Sequence, residues 1–181
     1  MDINSLKLVE NQNLASKSIT YKIKLPVYKI DEKLIGLLVD LSKENKAKNI
    51  RFCFHEGNDS ALQQMLILER KEMYYPPHTH KKRVETHIVL RGALEVFILN
   101  KNGSVSQRFV NTSEDKFISN VPSEFSHLTR PITNEVIYLE IKNGPHTPFK
   151  DDCFIPNPYN KEFMTEKEYT HYLDQFDQLF S

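Results

Sequence analysis

The chain reads as an all-β sandwich or small barrel with a helix on each flank, and three observations predict it. Seven short runs rich in Val, Ile, Phe, Leu and Tyr follow one another from residue 50 to about residue 142, separated by turn residues and without a convincing helix between them. Asn102-Gly103 stands between two of those runs and marks a tight antiparallel hairpin. Apolar residues at helical spacing lie before and after this region.

Taken in order, a polar start leads into "SITYKIKLPVYKI", whose β-branched and aromatic content is that of extended structure. Pro26 interrupts it and suits an edge position, so residues 19–30 are the candidate arm onto a neighbouring sheet or a second subunit. In "DEKLIGLLVDLSKEN", Asp31 is a plausible N-cap, and Leu34, Leu37, Leu38 and Leu41 share one helical face. The strand candidates are "IRFCFHE", "QQMLILE", "ETHIVLRG", "ALEVFILN", "SVSQRFV", "KFISNV" and "EVIYLEIK". "NGPHTPFKDDCFIPNPYN" carries too many prolines for a central strand or helix and should wrap the surface. Thr165 and Glu168 then form a capping box, and Tyr169, Leu173, Phe176 and Phe180 recur at helical spacing for docking on the core. The expected organisation is one structural domain: an arm and helix over 1–48, a barrel over 49–143, and a wrapping loop and helix over 144–181.

Composition narrows the function. At 181 residues the chain can bury a single core. Lys plus Arg and Asp plus Glu both number 24, so no net field favours nucleic acid or an anionic membrane, and a small molecule is the expected partner. Cys53 and Cys153 lack metal-type spacing and suit a reducing cytoplasm. No signal-like run opens the sequence, and no window approaches the roughly 20 apolar residues of a membrane span. Nucleophile-elbow, P-loop and G-x-G-x-x-G patterns are absent, and neither cysteine has an evident histidine partner.

The chemistry concentrates in "PPHTHKKRVETHIVLRG". On a strand His78 and His80 point the same way with Cα atoms ~6.6 Å apart, so both imidazoles can converge on one ion. After the basic loop Lys81-Lys82-Arg83, Glu85 returns as an oxygen ligand, or it hydrogen-bonds a bound water and acts as acid or base. Downstream, Pro122 turns the chain before a strand bearing His127. Three imidazoles and a carboxylate suit one divalent transition metal (Fe, Mn, Zn, Ni or Co) better than Ca or Mg. His87 shares the inward face of Glu85, either facing the substrate or lining the pocket wall, and Tyr74 has the parity of His78 and His80.

His78-x-His80, then four intervening residues, Glu85, six intervening residues and Gly92 resemble the first cupin motif, with Glu72 in place of its leading glycine. Pro122 and His127 resemble the second motif in reduced form, with Glu124 where an internal glycine stands and Pro131 where an asparagine does. Outside the motifs, "NIRFCFHEGNDSALQQMLILERKEMYYPPHTH" and "VIYLEIKNGPHTPF" look like the WbuC family of cupin-fold metalloproteins, over residues 30 to about 160. The resemblance implies a jelly-roll-like cupin β-sandwich barrel, a metal held by His78, His80, Glu85 and His127, and a pocket mouth framed by His55 and Gln63 on the preceding strands. It also implies surroundings in bacterial surface-polysaccharide (O-antigen) biosynthesis, and dimerisation as in other cupins.

The expected function is therefore a metal-dependent isomerase or epimerase acting on a sugar or sugar nucleotide, with Glu85 or His87 moving the proton and substrate contacts from His55, Gln63 and Tyr74. Two rivals stand beside it: an Fe(II)-dependent oxygenase, and a non-catalytic metal-bearing sugar-binding module.

Overall fold

The computed structural model describes residues 6–8 (backbone), 18–23, 28–46, 48–71 and 77–146. Tyr74, Cys153, the proline-rich segment past residue 146 and the capping box and stripe of 165–180 lie outside the described residues. Within them are β1 (Leu6–Leu8), β2 (Ser18–Ile23), α1 (Glu32–Glu44), β3 (Asn49–Cys53), β4 (Leu62–Arg70) and β5 (His78–Thr79). They continue with β6 (Glu85–Arg91), β7 (Ala93–Leu99), β8 (Val105–Thr112), β9 (Ile118–Val121), β10 (Ser126–Pro131) and β11 (Glu135–Asn143).

Two sheets form. The larger has the order β1-β2-β3-β4-β11-β6-β9, the smaller β5-β10-β7-β8, and no ladder joins them among the described residues. The pairing is antiparallel throughout except between β2 and β3, where Ser18 opposes Asn49 and Lys22 opposes Cys53 in parallel. The first part of the segment read as a candidate arm, residues 19–23, is a strand of the chain's own sheet. The polar start also supplies a strand the sequence did not suggest, β1, with Leu6 opposite Ile23.

Helix α1 begins where the sequence indicates. The Asp31 side chain accepts a hydrogen bond from the Leu34 amide at 3.0 Å, satisfying a donor that the first turn leaves unpaired. Its apolar stripe of Leu34, Ile35, Leu38 and Leu41 is buried against Ile50, Phe52, Leu66, Leu68 and Ile137 on the outer face of the large sheet. The opposite face of the same strands carries Cys53, Met65, Ile67, Val89, Val136 and Tyr138, which pack with Leu94 between the sheets. The period-2 alternation of side chains thus serves two cores from one set of strands. Cys53 is free and buried, and desolvation pushes its thiol up to about 11, well away from nucleophilic use.

Two turns hold the sheets in register. Asn100 to Gly103 closes the β7–β8 hairpin through a 2.9 Å bond from the Gly103 amide to the Asn100 carbonyl, with Gly103 at φ 84°. Gly92 joins β6 to β7 at φ 81°, where a Cβ would stand 2.6 Å from the Glu135 carbonyl oxygen, so a side chain there meets both strain and backbone. On the outer face of the small sheet, buried Glu95 accepts from Arg108 and from Arg130 Nη2 at 2.6 Å, and both guanidinium groups lie over the Phe97 ring.

Leu38 is fully buried between α1 and the large sheet. Leu38→Ala is therefore expected to cost about 2–5 kcal/mol of unfolding free energy, read from urea denaturation followed by circular dichroism. A loss below about 1 kcal/mol would mean that α1 is not docked as described.

Candidate metal centre

Four of the sequence-selected residues meet at one end of the space between the sheets. His78 lies on β5, directly opposite His127 on β10. His80 follows one residue past β5, and Glu85 opens β6 on the facing sheet. The three imidazoles each turn Nε2 toward the same carboxylate oxygen, Glu85 Oε2: His127 at 2.6 Å, His80 at 3.3 Å and His78 at 3.9 Å. One ligand atom from each residue lies within 4.8 Å of the others, close to the ~4.2 Å that two opposed 2.1 Å bonds span. The surroundings are dry: His127 is 1% exposed and Glu85 2%. The His78 side chain, 18% exposed, is the member nearest solvent.

The protonation states fit cation binding. Burial lowers the pKa of His78 far below the ordinary histidine value and also lowers that of His80, leaving neutral imidazoles with a lone pair to offer. The His127 ring is oriented from both sides, by a 3.0 Å contact between Nδ1 and the Phe125 carbonyl and by the 2.6 Å contact between Nε2 and Glu85. Burial alone would raise Glu85, but the Lys142 ammonium and hydrogen bonds from His127 and His80 outweigh it and hold the carboxyl well below its usual range. Three imidazoles and one carboxylate are a donor set that could hold a divalent transition metal.

Glu124, where a glycine would stand in the second cupin motif, takes φ 71°, and its amide donates to the His80 carbonyl at 2.7 Å. The backbone there is left-handed although the residue is not glycine. Thr79 and Ser126, side by side across β5 and β10, share a 2.6 Å hydroxyl bond.

Two residues that sequence reasoning did not select complete the polar interior. On β11, Lys142 stands opposite Glu85 and Glu140 opposite His87. Lys142 Nζ lies 2.6 Å from Glu85 Oε1 and 3.0 Å from Glu140 Oε1. Burial works against the Lys142 charge, but Glu140 and Glu85 overcome it and raise the ammonium above its ordinary value. Burial likewise raises Glu140 to about 7, against the pull of Lys142. His87, as expected from its parity, faces this group: its Nε2 is 3.8 Å from Glu85 and 3.9 Å from Glu140, and burial lowers it to about 4. Its Nδ1 is 3.5 Å from Ser119 Oγ, which accepts from Asn111 at 2.7 Å.

The remaining expected contacts divide. Gln63 is buried on β4 opposite Lys142, with Nε2 donating to the Asn58 carbonyl at 3.0 Å. His55 is not on a strand: β3 ends at Cys53, and the ring is held against the backbone of Gln64, Nδ1 to the carbonyl oxygen at 3.2 Å. Arg83 of the basic loop is buried, whereas Lys81 and Lys82 are exposed. His146 reaches the same end of the molecule, its amide bonded to the Asn58 carbonyl at 2.6 Å.

Comparison with known proteins bears on the fold. The family model described as "Domain of unknown function (DUF6016)" matches residues 30–111. No curated protein matches the chain. The structure is similar to CapF solved with the inhibitor 3-isopropenyl-tropolone, at 13% identity and TM-score 0.50 over 60% of this chain and 31% of that one. It is also similar to the capsular polysaccharide assembling protein CapF from Staphylococcus aureus, at 13% identity and TM-score 0.49 over 57% of this chain and 28% of that one. A third likeness is to the L-ribose isomerase of Cellulomonas parahominis, at 15% identity and TM-score 0.46 over 56% of this chain and 61% of that one. The chain thus spans less than a third of CapF. The fold is a cupin β-sandwich.

Deeper between the sheets, Glu69 is fully buried and accepts from the Tyr138 hydroxyl at 2.9 Å. Burial raises it from an ordinary 4.5 to about 8, so between those values folding takes up a proton and stability falls as pH rises. Above about 8 the penalty is complete. Glu69→Gln keeps an acceptor for Tyr138 and removes the titration. Its melting temperature should gain on that of the wild type steadily between pH 5 and pH 8, by thermal denaturation in a pH series, and a gap that stays constant would refute the assignment.

Proposed function

We propose that the protein is a metal-dependent enzyme that moves a proton on a sugar or sugar nucleotide, as an isomerase or epimerase. One observation carries the reading: three imidazoles converge on a buried carboxylate, and beside them stands a separate pair of groups suited to handling a proton. His78, His80, Glu85 and His127 would hold the ion. A divalent transition metal bound there would supply Lewis acidity toward adjacent substrate oxygens.

The division of labour among the chain's own residues follows from their surroundings. Glu85 is ionised and engaged on both oxygens, so its role in this reading is to hold the ion. His87 is neutral and can accept a proton at Nε2, and Glu140, 3.9 Å away with its pKa near 7, can exchange one with it. Lys142 keeps the acidic pair from repelling an incoming oxygen-rich substrate. Gln63, across the ladder from Lys142, is placed to bind a substrate hydroxyl at the mouth. The sequence resemblance to the WbuC family supports a carbohydrate from surface-polysaccharide synthesis as substrate, a cytoplasmic setting and a homodimer.

Elemental analysis of the purified protein should find one transition metal per chain, and His78→Ala and His127→Ala should each lower occupancy at least tenfold. Full occupancy in both variants would overturn the site. With metal present, the wild type should exchange a carbon-bound proton of its sugar for solvent deuterium, seen by NMR, and His87→Gln should slow that exchange by about 10²–10⁴-fold. Consumption of O₂ with Fe(II) but not with Zn(II) would point instead to the oxygenase.

A further inference from the structure

The two oxygens of Glu85 address two different sets of groups. Oε2 faces the three imidazoles, whereas Oε1 faces Lys142 Nζ at 2.6 Å and His87 Nε2 at 3.8 Å. Glu85, His87 and Glu140 form by themselves a second group whose ligand-type atoms lie within 4.8 Å of one another, all three buried. Glu85 belongs to both groups, which is the arrangement of a carboxylate bridging two cations, as found where metals lie about 3.5–4 Å apart. The second position is already served by a cation of the chain's own: Lys142 Nζ contacts Glu85 at 2.6 Å and Glu140 at 3.0 Å.

We infer that Lys142 is a built-in cation that stands where a second metal would, limits the centre to one ion, and positions Glu85 with Oε2 turned to the imidazoles. The inference rests on the metal reading of the first group. Its chemistry is that of a substituted charge. An ammonium offers three donors and a single positive charge, enough to balance one of the two carboxylates it touches, and being covalently attached it does not exchange. Removing it leaves two oxygen ligands and an imidazole facing one another in a dry space, a donor set for Mn, Fe or Co. A lysine that served packing alone would leave metal stoichiometry unchanged when replaced, so the two roles separate by counting ions.

The test loads wild type, Lys142→Ala, Lys142→Arg and the double variant Lys142→Ala with Glu140→Gln with Mn(II), removes free metal by desalting, and measures manganese per chain together with the EPR spectrum. The expected counts are one for wild type and for Lys142→Arg, two for Lys142→Ala with the spectrum of spin-coupled ions, and one again for the double variant. A count of one in Lys142→Ala, with wild-type affinity, overturns the inference and leaves the metal reading standing. A count of zero in wild type overturns the metal reading and the inference with it. If Lys142→Ala folds poorly, Lys142→Gln is titrated with Co(II) and its melting temperature followed: saturation at two equivalents supports the inference, and saturation at one overturns it.

Discussion

The buried carboxylate of Glu85 is the constraint around which the interior is arranged. An ionised group with 2% exposure is costly unless cations and hydrogen-bond donors meet it, and the cost is several kcal/mol when they do not. Here the partners come from three strands: imidazoles from β5 and β10 on one sheet, and an ammonium from β11 on its own. Because these partners belong to both sheets, the carboxylate ties the layers together at the end where the hydrophobic packing between them gives out. The same demand explains why Lys142 retains its charge despite its burial, since each group stabilises the ionised form of the other.

Strand β11 makes this possible by its position. It lies between β4 and β6 in the large sheet, so both its edges are paired, while α1 packs on one face and the second sheet on the other. Ile137 faces α1 and belongs to the apolar core, while Tyr138, Glu140 and Lys142 face the opposite way, toward the second sheet. The interior changes along this strand from apolar to ionic, from Val136 and Tyr138 to Glu140 and then Lys142 opposite Glu85. Stability and chemistry are thus separated along one strand rather than between domains. Glu69, deep on β4, shows the limit of that separation: burial outweighs the charge of Arg51 and keeps the carboxyl protonated near neutrality, bonded to Tyr138.

How far the sequence discloses this depends on the range of the interactions. Helix α1 is legible because its cap and stripe are local, and His78, His80 and His127 are legible because metal ligands need particular residue types at particular spacing. The parity of His87 with Glu85 places it correctly for the same reason. Lys142 and Glu140 are not legible in "EVIYLEIK", because two charged residues spaced two apart are also the pattern of a strand end with one face in water. Only the packing of the second sheet over this face reveals that it is covered. The parallel pairing of β2 with β3 is hidden likewise, since α1 and its flanks separate the two strands in sequence.

The turn at Glu124 shows which parts of a motif are physical necessity. A residue other than glycine at φ 71° carries a strain of order 1 kcal/mol, and relaxing it would move the chain between β9 and β10. That chain is held at both ends. The Glu124 amide is bonded to the carbonyl of His80, and two residues on, Ser126 is bonded through its hydroxyl to Thr79. Between these anchors the backbone has to deliver His127 opposite His78, so the left-handed conformation is imposed by the histidines on either side of it and not by the residue that adopts it. Glu124 takes that conformation without being glycine, and the four candidate ligands remain converged.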